Sequence, residues 1–333
     1  MRFNKWKNFI IVGSGNIGTR LMQSLISTLC DERASARIYC SDPHQASLEL
    51  ARSRAAEILN RHPDHAIELD FAQDLGFLPE QADLAIIATP SDIRCKVLLD
   101  LLDCCRPKRV LLEKFLFTQW TAYETASRAL ASSDARAFVH VPRGVWPGYV
   151  QLRRRVAPAE RLTVEVAGAS WAMASNAIHF IHLLEVLTGD TATRIDGSKL
   201  SPVTLQSRRK GYLEVGGEIE VATMGGSTMR IVCEAGPRIP PLVRIQASDW
   251  HAEVHEAEGR MLIRETGSAG PAEQPFQMLV ASQMQAPLRA LLEGRECGLP
   301  SYESQIFCHL ELMKAFNRVF YGEDAAKRDC PVT

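Results

Sequence analysis

The feature that most constrains this chain is the cluster Gly13-Ser14-Gly15-Asn16-Ile17-Gly18 and what flanks it. Before it, Asn8 to Val12 is a short apolar, β-branched run that reads as a strand. After it, Ile17, Leu21, Leu25 and Leu29 recur every four residues, the spacing of one buried helix face. The glycines therefore occupy a strand-to-helix turn. In the pattern G-x-G-x-x-G the first glycine allows a tight turn and the second lets a pyrophosphate approach the backbone. The third lets the helix pack close to the strand, while the helix N-terminus offers free N–H groups and a positive dipole end. The pattern predicts a dinucleotide site built on Gly13, Gly15, Asn16, Ile17 and Gly18. Asp42, after the second strand, is placed to hold the ribose hydroxyls of an adenosine. A carboxylate there repels a 2′-phosphate, so NAD is favoured over NADP. Ser41 and His44 would suit NADP were Asp42 turned away.

The alternation continues. Ala36 to Cys40 read as a second strand, Ser47 to Leu59 as a helix, and Ala66–Leu69 as a third strand. Asp83 to Ala88 has the composition of a fully buried strand. Ser91 opens another helix, Arg109 to Leu112 form a fifth strand, Trp120–Leu130 a helix and Ala137–Val141 a sixth strand. Strands alternating with helices predict a doubly wound parallel sheet. The second half changes character. Strand-like runs from Leu162 to Ala167 and from Val203 to Arg264 are broken by glycine pairs, which predicts an open, mainly antiparallel sheet. An apolar helix spans Asn176 to Leu187 and ends at Gly189. Gly267–Pro275 reads as a loop, and two helices, Met278–Leu292 and Tyr302–Phe320, close the chain. The fold class is thus α/β: a Rossmann domain over residues 1–141, then an α+β substrate-binding and oligomerisation domain over 142–333 whose last helix is free to pack back on the first.

Composition narrows the function classes. Lys plus Arg is 38 and Asp plus Glu is 39, a formal net charge of −1, so the chain has no electrostatic footprint for nucleic acid or an anionic membrane. The short basic runs Arg153–Arg155 and Arg208–Lys210 read as solvated surface. No run of ~18 apolar residues exists. Arg2, Lys5 and Lys7 precede an apolar run too short for a secretory leader, and the nine scattered cysteines include no Cys-x-x-Cys pair. These features predict reduced thiols and a cytoplasmic location.

Several segments beyond the glycine turn resemble the Gfo/Idh/MocA oxidoreductase family over nearly the whole chain. Ala88-Thr89-Pro90-Ser91 is similar to the family's strand-four turn, which places Thr89 and Pro90 beneath the nicotinamide ribose. Glu113-Lys114 resembles its Glu-Lys-Pro signature, with Phe115 in place of the proline. Asn176-Ala-Ile-His179-Phe-Ile-His182 resembles its His-x-x-Asp helix, with His182 in place of the aspartate. Val141-Pro142-Arg143 with Trp146-Pro147, and the closing Leu299 to Ser304 with His309, resemble a subgroup associated with surface-polysaccharide biosynthesis. The resemblance implies an NAD(P)-dependent dehydrogenase or reductase acting on CH–OH groups of a sugar or nucleotide sugar. Lys114 polarises the oxygen, His182 or His179 relays the proton, and Glu113 belongs to the cofactor site. Arg143, Trp146 and Asn176 are expected to contact substrate, Arg143 suiting an anionic group. The alternative is a regulatory protein of the same fold that binds NAD(P) and sugar without catalysis. No metal is expected, since hydride transfer needs none and two histidines are not a site. His251, Glu253 and His255 alternate along one strand face and read as polar surface. An open sheet needs its exposed face covered, so a homodimer or homotetramer is expected.

Overall fold

The protein is described by a computed structural model over residues 7–207 and 209–333; Arg2, Lys5 and Arg208 lie outside the described residues. The chain divides into two compact units, Met1–His140 with Leu279–Gln305 and Val141–Met278 with Ile306–Thr333.

The first unit is the predicted doubly wound sheet. Its strands are β1 (Asn8–Val12), β2 (Ser35–Ser41), β3 (Ala66–Ala72), β4 (Leu84–Ile87), β5 (Arg109–Glu113) and β6 (Arg136–His140). They pair in parallel in the order β3-β2-β1-β4-β5-β6. This order reverses beside β1, and in open α/β sheets ligands bind outside the carboxyl ends of the strands at that switch. Ile10, Ile11, Ile86, Val110, Leu111 and Leu112 are wholly buried, as strands covered on both faces require. The helices between them are α1 (Asn16–Asp31), α2 (Gln45–Leu59), α3 (Arg94–Cys104) and α4 (Trp120–Ser133). Helix α3 begins at Arg94 rather than Ser91, because residues 91–93 form a turn. The segment Leu279–Gln305 returns to this unit. Val139 donates its N–H to the Pro300 carbonyl at 2.9 Å, and a helix over Gln285–Leu292 packs on α1 with Arg289 paired to Glu32 at 2.6 Å. That helix is shorter than the sequence suggests, Ala281–Gln283 forming a separate 3-10 turn before it.

The second unit opens with a short helix, α5 (Pro147–Arg153), then β7 (Thr163–Ala169) and α6 (Met173–Thr188). Strands β8 (Ala192–Asp196), β9 (Leu200–Gln206), β10 (Leu213–Thr223), β11 (Thr228–Glu234), β12 (Ile239–Gln246), β13 (Trp250–His255), β14 (Arg260–Glu265) and β15 (Ala272–Pro275) follow. The sheet runs β8-β10-β11-β7-β12-β13-β14-β15, with β9 also on β10. Among the described residues, only the β7–β11 pair in it is parallel. Two expectations change. Gly216-Gly217 is not a turn but lies within β10, where a Cβ on Gly217 would stand 2.4 Å from the Ser201 nitrogen; part of the segment expected as a loop pairs as β15. Gly189 does end α6, in a left-handed conformation with its N–H on the Glu185 carbonyl at 2.8 Å.

The two faces of this sheet differ. Val164, Val166, Ile219, Val221, Ile231, Val243 and Ile245 are buried on the α6 side. On the other, one register row reads Glu220, Arg230, Glu165, Arg244, Glu253, alternating in charge across five strands. Arg230 lies 3.0 Å and Arg244 2.8 Å from Glu165, and Arg244 3.1 Å from Glu253. Opposite charges directly across strands stabilise a sheet, so this face is a polar surface in its own right.

Candidate functional site

Each glycine of the Gly13–Gly18 turn has its own steric reason. Gly13 has φ +92°, a region L side chains rarely adopt, and a Cβ there would stand 2.8 Å from the Ala88 carbonyl carbon and the Thr89 nitrogen. A Cβ on Gly18 would stand 1.9 Å from the Gly13 oxygen, so only glycine lets α1 rise this close to β1. Gly15 is different: its φ is −71°, and a Cβ would meet nothing within 4 Å. The middle glycine therefore fronts open space at the first turn of α1, which no side chain caps. This is the cradle a pyrophosphate requires, and the residues present fit a dinucleotide. A second observation agrees. The buried Thr89 hydroxyl, in the turn after β4, makes no hydrogen bond among the described residues. Gly15→Val should accordingly fold as the native chain does while losing dinucleotide affinity by about tenfold or more. Calorimetric titration beside a thermal melt checks both halves.

Asp42 lies at the end of β2 and is buried. Its Oδ2 accepts the Ser14 N–H at 2.7 Å and its Oδ1 the His44 N–H at 3.0 Å. The carboxylate thus ties the glycine turn to the start of α2 and keeps lone pairs for further donors. Arg54, which sequence reasoning missed, reaches from α2 to this turn, its Nη2 donating to Asn16 Oδ1 at 3.0 Å and its Nη1 to the Thr19 hydroxyl. Nothing local announces it, because the contact joins two neighbouring helices through residues far apart in the chain.

Lys114 leaves the carboxyl end of β5, at the edge where this fold binds ligands. The Lys114–Phe115 peptide is cis. Glu113 beside it is buried, and its Oε2 lies 2.7 Å from His140 Nδ1 at the end of β6. Burial raises the Glu113 pKa, but His140, Lys114 and Arg94 outweigh it and hold the carboxyl below its usual range. One carboxylate oxygen of Glu113, Oε2, thus faces His140. His140 is a second residue missed. Its Nε2 is buried without a hydrogen-bond partner among the described residues, and its only sequence signal is its place at a parallel strand's carboxyl end.

In the second unit, His179 and His182 are both buried on α6. Neither ring nitrogen of His182 makes a hydrogen bond among the described residues, Nδ1 lying 3.5 Å from Glu185 Oε2. Glu185 Oε1 accepts the Ala192 N–H at 3.1 Å. Asn176, in the first turn of α6, donates its side-chain amide to the Ala172 carbonyl at 2.8 Å. Arg143 is paired twice with Glu256, Nε to Oε1 at 2.9 Å and Nη2 to Oε2 at 3.0 Å, and its guanidinium carbon sits 4.0 Å from the centroid of the Phe180 ring. The Tyr149 hydroxyl also donates to Glu256, at 2.7 Å. Burial and that carboxylate push the Tyr149 pKa well up. Trp146 stacks on Tyr149 with ring centroids 6.1 Å apart. The guanidinium fork is therefore neutralised by a buried carboxylate, which suits a structural anchor better than an anion receptor. His251, Glu253 and His255 stay half-buried on the sheet's polar face. Among the described residues no three His, Cys, Asp or Glu side chains gather as for a metal ion, and no helix is long and apolar enough to cross a membrane.

No protein-family model and no curated protein matches the chain. Solved structures do. UDP-N-acetylglucosamine 3-dehydrogenase GnnA from Acidithiobacillus ferrooxidans is similar at TM-score 0.67 and 14% identity, with 97% of this chain and 99% of that one covered. The WlbA dehydrogenase from Bordetella pertussis, solved with NADH and UDP-GlcNAcA, is similar at TM-score 0.64 and 17% identity, with 99% of each chain covered. A super-repressor mutant of Gal80p from Saccharomyces cerevisiae is similar at TM-score 0.70 and 9% identity, with 96% of this chain and 98% of that one covered. Several of the structural neighbours are dehydrogenases, and this chain has their fold.

Proposed function

We propose that this protein is a nicotinamide-dependent oxidoreductase that moves a hydride between the cofactor and a hydroxyl or keto carbon of a sugar or nucleotide sugar. The observation that carries the reading lies within one unit: a glycine turn with open space at its middle residue, and Lys114 at the carboxyl edge of the same parallel sheet. The dehydrogenase neighbours, whose names include two UDP-sugars, support the substrate class. Gly13, Gly15, Asn16, Ile17 and Gly18 would hold the pyrophosphate, Asp42 the adenosine ribose, and Thr89 with Pro90 the nicotinamide side. When bound, a nicotinamide dinucleotide supplies the hydride chemistry. The Asp42 carboxylate favours NAD over NADP.

Each catalytic role is assigned from the residue's own surroundings. The Lys114 ammonium donates a hydrogen bond to the reacting oxygen and stabilises negative charge as it develops there. His182 takes the hydroxyl proton during oxidation and returns it during reduction, through the Nε2 that no described residue engages. Its Nδ1 lies 3.5 Å from Glu185 Oε2. His179 is the alternative relay one turn earlier, and Asn176 contacts a substrate hydroxyl. Glu113, Arg143 and Trp146 act as supports, through His140, Glu256 and Tyr149 respectively.

The test is a titration with NAD and NADP followed by turnover on a panel of UDP-, GDP- and CMP-sugars, read as reduced-nicotinamide absorbance. Tighter binding of NAD and turnover of at least one sugar are expected. Absence of dinucleotide binding sinks the reading. Tight binding with no turnover across the panel turns it into the second reading, a cofactor-gated regulator. That reading is favoured by the likeness to Gal80p and by His182 standing where the resembled helix has aspartate.

A further inference from the structure

One buried side chain holds both turns at the carboxyl edge of the first unit's sheet. Arg94, the first residue of α3, is 1% exposed. Its Nη1 donates to the carbonyls of Phe115 and Leu116, the latter at 2.8 Å, and its Nη2 donates to the carbonyl of Thr89. These carbonyls lie just beyond β4 and β5, where the sheet ladder no longer supplies donors. A buried acceptor without a donor costs free energy, so something must satisfy them. A guanidinium meets that need with several N–H groups in one rigid plane. Its charge has a counterpart in the buried Glu113 carboxylate, whose ionisation Arg94 favours.

Lys114 stands between these restraints. On one side, Glu113 is fixed by the β5–β6 register against His140 and by the 2.7 Å contact with its ring. On the other, Phe115 and Leu116 are fixed by Arg94. The same guanidinium fixes Thr89, whose unpartnered hydroxyl belongs to the cofactor side of this edge.

We infer that Arg94 is a positioning residue: it sets the Lys114 backbone through the carbonyls of Phe115 and Leu116 rather than acting on the reacting atoms. The inference rests on Lys114 having the role given above. A misplacement of about 1 Å at a reacting group costs about 10²-fold in rate, so loosening this clasp reaches turnover even where the fold survives.

Two variants separate positioning from folding. Arg94→Lys keeps the charge but loses the planar fork; Arg94→Gln keeps two N–H donors but loses the charge. Both are compared with the native chain by thermal melting, NAD affinity, and amide hydrogen exchange over residues 114–118 and 13–20. Turnover is measured with the UDP-, GDP- or CMP-sugar that the native protein uses best. The expected result is NAD affinity within about threefold of native and kcat down about 10²-fold with KM little changed. Exchange should quicken by about tenfold at 114–118 and stay unchanged at 13–20. The inference is overturned if a folded variant keeps kcat within about threefold of native or keeps native exchange at 114–118. It is equally overturned if NAD affinity falls as far as kcat, or if neither variant melts cooperatively, since Arg94 then serves the cofactor turn or the fold. Lys114→Ala keeps the two failures apart: if that variant retains native turnover, the proposed reaction is wrong, whatever Arg94 does.

Discussion

Lys114→Ala is expected to lower kcat by about 10²–10³-fold while leaving NAD affinity within about threefold of native. The size follows from removing one preorganised donor aimed at developing negative charge. The selectivity follows from where the residue sits. Lys114 leaves the end of β5, whereas the phosphate cradle is formed by the turn between β1 and α1. The two share a sheet edge but no residue. Steady-state kinetics on the best sugar of the panel, beside calorimetric binding of NAD, measures both quantities. Turnover within about threefold of native would remove Lys114 from the chemistry.

Glu113→Gln should cost about 1–3 kcal/mol of stability at neutral pH, the scale for disturbing the hydrogen bonding of a buried polar group. The substitution replaces the buried carboxylate that lies 2.7 Å from His140 Nδ1 and whose ionisation Lys114 and Arg94 favour. Urea unfolding would show a midpoint lower by roughly 0.3–1 M. The pH dependence has a definite sign. Burial alone would raise the Glu113 pKa, but its cationic neighbours bring it below that of an ordinary carboxyl. A depressed folded pKa gives stability that is fully present above the unfolded value of about 4.3 and is lost as pH falls through the folded value. The gap between native and Glu113→Gln protein should therefore be widest at neutral pH and close as the solution is acidified below about pH 4. A gap that stays constant on acidification would mean that Glu113 is not held as the anion.

The supports around Lys114 were the least legible part of the sequence. Lys114 itself is visible as the residue following an apolar run in an alternating α/β region. His140 and Arg94 are not: one ends a strand and the other opens a helix, positions that carry no chemical signature. They become partners of the Lys114 segment only when β6 pairs beside β5 and α3 returns after β4. The fate of Arg143 was equally hidden. Its fork pairs with Glu256, a partner 113 residues away that no local pattern announces. The same holds for Gly216-Gly217, which as a dipeptide reads as a turn yet lies within a long strand, where Ser201 approaches too closely for any side chain.

The sequence by itself determined the glycine turn, the order of strands and helices in the first unit, the change to a mainly antiparallel sheet in the second, and the placement of Asp42 and Lys114 at strand ends. These are written in local periodicity, in glycine's access to positive φ and in steric demands spanning a few residues. Only the tertiary structure decided that residues 279–305 return to the first unit, that five strands align a row of alternating charges, and which basic side chain meets which buried carboxylate. Such pairings join positions far apart in the chain. Their free energy depends on desolvation and register, both of which exist only once the sheets have formed.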